Sequence, residues 1–204
     1  MIALVNLGNS NIQSVINALD FLQIKYTITT TPEEIKTCDK IILPGVGTFG
    51  NGVEQLHKLN LFDTIKTEVL VNNKPILGIC LGMQMLFNSS HESEGVKGLG
   101  LIEGDVVSLP LSDNYKIPRI GWATSKLQFD FLGLNKDESI DFYYIHSFYV
   151  IPNNLEVVSI FTDENLTSSV HYKNIYGCQF HPEKSHKSGL KILESFNLIE
   201  GTIS

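Results

Sequence analysis

Short apolar runs alternate with amphipathic segments along the first ninety residues of the chain. Four runs have the apolar or β-branched composition of strands, at residues 2–5, 26–30, 40–43 and 75–79. Apolar residues at helical spacing predict helices between them, at residues 15–22 and in two stretches of 53–71 that are divided near Asn60. Strands that alternate with helices predict an α/β fold, with a doubly wound, mostly parallel sheet and helices on both faces.

Beyond Ser90 the pattern changes to a polar, glycine-rich loop at residues 91–98 and then to β-prone segments. These segments are residues 101–102, 105–109, 141–150 and 157–160, followed by a strand at 175–180 and a helix at 189–199. We interpret them as antiparallel ribbons and edge strands on the same core, because no linker, repeat or low-complexity tract separates them from the first half. Residues 1–204 are therefore predicted to form a single domain.

Composition narrows the class of protein. A chain of 204 residues with 43% hydrophobic and 18% charged residues is an ordinary globular protein with a sizeable core. A net charge of −7 without a Lys/Arg cluster argues against a nucleic-acid partner. Three cysteines without disulfide-like spacing favour a reducing compartment. The N-terminus lacks the features of a signal peptide and no apolar run has the length of a membrane span, so we expect a cytoplasmic protein.

Candidate chemistry begins at Cys80, which lies between the predicted strand 75–79 and a helical segment at 83–87. Gly78 and Gly82 flank it at two residues on either side, as in the nucleophile elbow G-x-S-x-G with cysteine in place of serine. The sharp turn strains the nucleophile's backbone, and glycine lets the flanking chain pass closely. The helix that follows favours a thiolate and leaves the Leu81 N–H free to face a developing negative charge. A cysteine buried as a small hydrophobic residue is the alternative.

A base for such a nucleophile is expected at the end of another strand. His181 follows the predicted strand 175–180, and Glu183 lies two residues further on, across Pro182. Proline restricts its own backbone and that of the preceding residue, so the imidazole and the carboxylate can face each other. Cys80, His181 and Glu183 therefore form a candidate catalytic triad, in which the carboxylate orients the ring and supports its positive charge.

Other kinds of site remain open at this stage. Residues 45–50 contain the pattern G-x-G-x-x-G of dinucleotide sites, but the glycines do not follow the first strand and no acidic residue stands in the ribose-binding position. We favour a loop whose backbone N–H groups face the same crevice as Cys80, with a plain tight turn as the alternative. A metal site is weakly indicated by His181, Glu183 and His186. The H-x-E pattern at residues 181–183 also begins the zinc-deaminase signature, but the P-C-x-x-C that this signature requires is absent, which excludes that class.

Several motifs together resemble a known family. The segments that carry the resemblance to the class I, triad-type glutamine amidotransferases are residues 43–47, 78–84 and 179–185. Three further segments resemble one branch of that family, the glutaminase subunit of imidazole glycerol phosphate synthase, at residues 97–104, 118–122 and 146–148. The similarity covers nearly the whole chain.

The resemblance implies an enzyme that hydrolyses glutamine to glutamate and ammonia. Cys80 would form a γ-glutamyl thioester, His181 would protonate the departing ammonia and then activate water, and Glu183 would orient the ring. The implied oxyanion and substrate-binding positions are Val46, Gly47, Leu81, Gln84, His146 and Ser147. The family's glutaminase needs no metal or organic cofactor.

The resemblance also implies a partner. In this branch the ammonia passes through a tunnel into a (β/α)₈-barrel cyclase subunit, which forms a heterodimer with the glutaminase and makes imidazole glycerol phosphate in histidine biosynthesis. Gln13 and Ala123 depart from the branch's pattern in regions near the partner. A paralogous glutaminase that supplies an enzyme amidinating nucleotide-linked sugars for surface polysaccharide is therefore an alternative. A catalytically silent binding subunit and a cysteine peptidase are alternatives from other classes.

Overall fold

A computed structural model describes residues 1–8, 12–113, 115–162 and 164–200 of the chain. Its strands are β1 (Ile2–Val5), β2 (Tyr26–Thr29), β3 (Lys40–Gly45), β4 (Ile76–Cys80), β5 (Ser89–Ser90), β6 (Gly104–Ser108), β7 (Arg119–Lys126), β8 (Ser139–His146), β9 (Phe148–Pro152), β10 (Val158–Thr162), β11 (Thr167–Tyr172) and β12 (Ile175–Cys178). Its α-helices are α1 (Gln13–Phe21), α2 (Pro32–Thr37), α3 (Phe49–Lys58), α4 (Leu61–Leu70), α5 (Leu81–Gln84) and α6 (His186–Leu198). In these residues no helix is both long enough and apolar enough to cross a membrane.

Nine of the strands form one sheet in the order β2-β1-β3-β4-β12-β11-β10-β7-β8. The first five, β2 to β12 in this order, run parallel, and the last four continue the sheet with antiparallel pairing. Helical crossovers connect β1 to β2, β2 to β3 and β3 to β4, as the alternating pattern of the first ninety residues predicted. The fifth parallel strand, β12, joins β4 only after the antiparallel strands. The α/β fold class is confirmed, with the antiparallel strands gathered at one edge.

Both faces of the sheet are covered by core. Alternate residues of β1 point to opposite sides, so that Ala3 and Val5 belong to one buried cluster and Ile2 and Leu4 to the other. Apolar residues of α2, α3 and α4 fill the first cluster, and those of α1 and α6 fill the second. Helices on both faces are the arrangement that the sequence predicted.

Two expectations for the β-prone segments need correction. Residues 141–150 do not form one strand, because the chain leaves the large sheet after β8 and pairs β9 with β6 in a separate three-stranded sheet, β5-β6-β9. Ser147 is the residue between the two strands. Leu101 and Ile102 are not a strand either, since their N–H groups both bond to the carbonyl of Leu86.

The helix after Cys80 is also shorter than the sequence predicted. Residues 83–87 were expected to be helical, but α5 ends at Gln84. The chain at residues 99–102 returns to this point, and its N–H groups bond to the carbonyls of Met85, Leu86 and Phe87. These carbonyls are therefore engaged by another segment and not by a continuing helix.

Candidate active site

Cys80 forms a sharp turn between β4 and α5. Its backbone has φ 55° and ψ −112°, a conformation that residues other than glycine rarely adopt. A Cβ atom on Gly82 would lie 1.7 Å from the Leu43 carbonyl oxygen, and one on Gly78 would lie 2.6 Å from the backbone N of Met83. The chain therefore passes itself too closely for any side chain at these two positions, which confirms the reason given for the flanking glycines.

Polar groups from two other segments reach the Cys80 sulfur. It lies 3.6 Å from the Ile145 carbonyl oxygen and 3.7 Å from Nε2 of Gln179. His181 lines the same cavity as Cys80, and its interaction with Cys80 raises the pKa of the ring. Cys80 is buried, so these contacts surround a sulfur that is largely shielded from solvent.

His181 lies just beyond β12, which pairs with β4, so it reaches the same edge of the sheet as Cys80. Its Nδ1 lies 2.8 Å from Oε1 of Glu183, and both side chains are almost fully buried. The ring therefore turns its other nitrogen, Nε2, to the sulfur. Burial lowers the pKa of His181, but hydrogen bonds and charge from Cys80 and Glu183 outweigh it and raise the pKa to about 10. The imidazolium is thus the favoured form at neutral pH.

A serine fixes the backbone of this segment. Oγ of Ser185 donates to the His181 carbonyl at 2.6 Å and accepts from the Tyr143 N–H at 3.0 Å. The His181 N–H in turn donates to the Tyr143 carbonyl at 2.9 Å. Residues Pro182–Lys184 form a single 3₁₀ turn, so the catalytic candidates His181 and Glu183 lie on a short, well-bonded turn that is tied to β8.

A cavity of about 260 Å³ opens in front of the sulfur. Its lining contains eight of the nine predicted site residues: Val46, Gly47, Cys80, Leu81, Gln84, His146, Ser147 and His181. The ninth, Glu183, does not line the cavity and contacts the ring of His181 from behind. The structure thus brings the predicted residues together around one space, although their catalytic and binding roles stay predictions.

The Phe148 carbonyl orients two of the lining side chains. It accepts from Nε2 of Gln84 at 3.0 Å, and it lies 2.8 Å from Nδ1 of His146. A carbonyl can only accept, so Nδ1 of His146 carries the proton and Nε2 is an acceptor. That Nε2 is buried and has no partner among the residues that the structure describes.

His146 is neutral in this environment. Burial lowers its pKa most, the bond to the Phe148 carbonyl raises it, and the charges of Arg119 and His181 lower it further, to about 4. At neutral pH it can therefore accept a hydrogen bond from a ligand but cannot protonate one.

Sequence reasoning missed several residues of the site, among them Glu92, Lys184 and Gln179. Glu92 lines the cavity, and its Oε2 accepts from the Phe49 N–H at 2.7 Å, at the start of α3. It belongs to the segment that was interpreted only as a polar loop. Gln179 is fully buried and links Gln84 to the sulfur; its place in the motif at residues 179–185 was the available signal.

The turn before α3 brings a second backbone segment to the cavity. Gly45 of β3 is in register with Cys80 of β4, and Gly47 follows with φ 99°, which favours glycine. The pattern at residues 45–50 thus forms a turn beside the candidate nucleophile. In the ranges that the structure describes, no group of three or more His, Cys, Asp or Glu side chains is arranged to hold a metal ion.

Comparisons with known proteins agree on one family. The family model for class I glutamine amidotransferases matches residues 3–199. The imidazole glycerol phosphate synthase subunit HisH 2 of Methanococcus maripaludis is 43% identical over 199 residues, which is 96% of this chain and 98% of that protein. Subunit HisH of Pyrococcus furiosus is 43% identical over 201 residues (96% and 97%), and HisH 2 of Vibrio vulnificus is 39% identical over 203 residues (96% and 92%).

Solved structures show the same fold at low sequence identity. A crystal structure of a glutamine amidotransferase has a TM-score of 0.78 at 17% identity and covers 96% of this chain and 98% of that one. The glutaminase domain of Trypanosoma brucei CTPS with bound acivicin has a TM-score of 0.64 at 16% identity, with coverage of 96% and 92%.

Proposed function

Since the chain belongs to the class I glutamine amidotransferases and is an enzyme that hydrolyses glutamine, we propose that Cys80, His181 and Glu183 are its catalytic triad. The observation that carries this proposal is the strained Cys80 elbow, which shares one cavity with a histidine that a buried carboxylate holds at 2.8 Å. A nucleophile, a base and an orienting acid are the parts that acyl transfer through a covalent intermediate requires.

The reaction follows from these three groups. Nε2 of His181 holds the proton that Cys80 has given up, and the thiolate attacks the side-chain amide carbon of glutamine. The imidazolium gives that proton to the amide nitrogen as the C–N bond breaks, so ammonia leaves and a γ-glutamyl thioester remains. His181 then takes a proton from water, the resulting hydroxide attacks the thioester, and the thiol is released with glutamate. Glu183 stabilises the charged ring in both halves of the cycle.

The oxyanion formed in each half needs N–H donors. Leu81 is the first residue of α5, where backbone N–H groups have no partner within the helix. Leu81, Val46 and Gly47 all line the cavity. We assign the Leu81 N–H and an N–H of the Val46–Gly47 turn to the oxyanion.

Charge supports glutamine as the ligand of the cavity. Glu92 and Lys184, an acidic and a basic residue, both belong to the lining. The α-amino and α-carboxylate groups of glutamine carry the complementary charges. Ser147 and His146 are polar residues of the same lining. This arrangement selects a small zwitterion over a peptide, which favours glutaminase over cysteine-peptidase activity.

We further propose that the ammonia is delivered to a (β/α)₈-barrel cyclase subunit that makes imidazole glycerol phosphate. Relatives that match over almost their full length are named as subunits of that synthase. The second candidate is a sugar-amidinating enzyme as the acceptor. Gln13 and Ala123 favour it, because they depart from the branch's pattern near the partner, and two of the relatives reported above carry a copy number in their names.

Glutamate release by the Cys80→Ala variant tests the triad. We expect no release above background, with a native melting curve, because no other group in the cavity can form the thioester. Cys38→Ala is the matched control, since Cys38 is a buried thiol outside the cavity, and it should keep full activity. Full activity in Cys80→Ala would overturn the proposal. A silent subunit would leave Cys80 unlabelled by a glutamine-analogue electrophile, and a peptidase would turn over peptides instead of glutamine.

The identity of the enzyme that receives the ammonia is tested by pairing the glutaminase with each candidate partner. The chain is mixed in turn with the cyclase and with a sugar-amidinating enzyme of the same organism, and glutamate release is measured. We expect stimulation by the cyclase in the presence of its nucleotide substrate. Stimulation by the sugar-amidinating enzyme alone would replace the first acceptor by the second.

A further inference from the structure

A chain of side-chain amides reaches the Cys80 sulfur from outside the triad. Nε2 of Gln84 donates both to the Phe148 carbonyl and to Oε1 of Gln179, each at 3.0 Å. Nε2 of Gln179 then lies 3.7 Å from the Cys80 sulfur. Gln179 is fully buried and Gln84 is 5% exposed, so water does not compete for these contacts.

The Phe148 carbonyl determines the direction of every hydrogen bond in this series of amides. The Phe148 carbonyl can only accept, so Gln84 must turn its NH₂ group towards it. The second hydrogen of that NH₂ group requires an acceptor, which places the oxygen of Gln179 opposite it. The remaining end of Gln179, its NH₂ group, therefore faces the sulfur. Both hydrogens of the Gln84 amide are engaged, so only its oxygen is left for a ligand.

Two contacts of the sulfur act in opposite directions. The Ile145 carbonyl at 3.6 Å can only accept, so it favours the protonated sulfur, which can donate. The Gln179 N–H can donate to the sulfur, so it favours the ionised form, as the imidazolium of His181 does. Gln179 and the Ile145 carbonyl also limit the rotation of the cysteine side chain, which otherwise has three staggered positions.

We propose that Gln179 is a further residue of the catalytic machinery, which donates a hydrogen bond to the ionised Cys80 sulfur and holds it in the direction of the cavity. Gln84 is a positioning residue that acts through Gln179. The inference rests on the proposed role of Cys80 as the nucleophile. It does not involve the amides in any bond that is made or broken with the substrate.

The test compares Gln179→Met and Gln84→Met with the wild-type protein. Methionine retains the length of the side chain and removes the amide. Two readouts are taken at one pH. The first is the rate at which iodoacetamide alkylates Cys80, followed on the Cys80 peptide by mass spectrometry, and the second is kcat and KM for glutamine. Ser125→Ala is the matched control, because Ser125 is fully buried and bonds to Tyr144 and Ser168 outside the cavity.

For Gln179→Met we expect kcat to fall on the order of ten-fold, as for the loss of a hydrogen bond to a charged group. KM should change less than about two-fold, since in the described part of the chain the hydrogen bonds of the Gln179 amide go to Gln84 and Cys80 and not into the cavity. Alkylation should slow by about three-fold, because a thiolate with fewer hydrogen bonds is rarer but intrinsically more nucleophilic. Gln84→Met should slow alkylation in the same direction, and Ser125→Ala should leave it unchanged.

A natively folded Gln179→Met variant that alkylates and turns over like the wild type would overturn the proposal. If that variant does not fold, Gln84→Met decides, and a wild-type alkylation rate there would overturn it equally. Equal slowing of alkylation in Ser125→Ala would also overturn it. The slowing would then be a general result of removing any buried polar group. Failure of the proposed function is distinguishable, because it would appear as absent glutamine turnover in the wild type even when it is paired with the cyclase and its nucleotide substrate, whatever the alkylation rates.

Discussion

The contact between His181 and Glu183 gives the most quantitative prediction for this enzyme. The change is Glu183→Gln, which retains the shape and an acceptor oxygen but removes the negative charge at 2.8 Å from Nδ1. A hydrogen bond to a charged group contributes about 1.5–3 kcal/mol and a neutral one about 0.5–1.5 kcal/mol. The difference, about 1–1.5 kcal/mol, corresponds to roughly ten-fold in kcat. The two side chains are 6% and 4% exposed, so solvent does not screen this loss.

The assay is glutamate release as a function of glutamine concentration and pH. KM should be nearly unchanged, because Glu183 does not line the cavity. The pKa of His181 should fall from about 10, since one of the charges that raises it is gone, so activity that depends on the imidazolium should decline at lower pH than in the wild type. If the new amide turns its NH₂ group to the ring, the wrong nitrogen carries the proton and the loss reaches about 10⁴-fold.

Glu68→Gln is the matched control for this prediction. Glu68 is also a buried carboxylate with a cationic partner, Lys74 at 2.9 Å, but neither residue lines the cavity. Breaking that pair should lower the melting temperature and leave kcat of the folded protein unchanged. A Glu183→Gln variant with native structure and kcat within about two-fold of the wild type would refute the reasoning, as would an equal kcat loss in Glu68→Gln.

Three further predictions concern the elbow, the turn and pH. Gly82→Ala should unfold at a clearly lower temperature in a calorimetric scan, because its Cβ would lie 1.7 Å from the Leu43 carbonyl oxygen; an unchanged melting temperature would contradict the close approach. Ser185→Ala should lose about 1–3 kcal/mol in urea unfolding, since its hydroxyl bridges His181 and Tyr143; a wild-type midpoint would show that the bridge is unimportant. His181 has a raised pKa of about 10 in the folded state against an ordinary value of 6.5, so its contribution to stability is complete below pH 6.5 and is lost as the pH rises to about 10. The stability difference between wild type and His181→Asn should therefore shrink over that range, and a difference that stays constant from pH 6 to 10 would exclude this origin.

Local sequence signals were sufficient for the parts of the site that depend on one turn. Gly78 and Gly82 identified the elbow because only glycine tolerates the approach, and Pro182 identified the turn that lets His181 meet Glu183. The strands β1, β3 and β4 were predicted for a similar reason, since they are mainly apolar runs that are buried on both faces of the sheet.

The contacts that were missed depend on pairing between distant segments. Gln179 reaches the Cys80 sulfur only because β12 lies beside β4, with Cys178 in register with Ile79. The strand β11 was missed because its first three residues, Thr167–Ser169, are polar and suggest a loop, yet they are buried. The Ser168 hydroxyl is satisfied by Tyr144 and Ser125 from neighbouring strands, and no sequence period shows this.

The premature end of α5 has the same origin. Residues 83–87 have helical composition, but the carbonyls of residues 85–87 accept N–H groups from a segment more than ten residues further along the chain. Tertiary hydrogen bonding therefore overrides local propensity at this point. The folded-back segment also leads from the loop that carries Glu92, which explains why that residue's place in the cavity was not predictable from its neighbours.

Trapping of the covalent intermediate tests the central claim most directly. The protein is mixed with glutamine, quenched in acid within the first turnovers and digested, and the cysteine-containing peptides are analysed by mass spectrometry. The account predicts one γ-glutamyl group on the peptide that contains Cys80 and none on those that contain Cys38 or Cys178. Glutamate release with no adduct on Cys80 at any quench time, or an adduct on another cysteine, would contradict it.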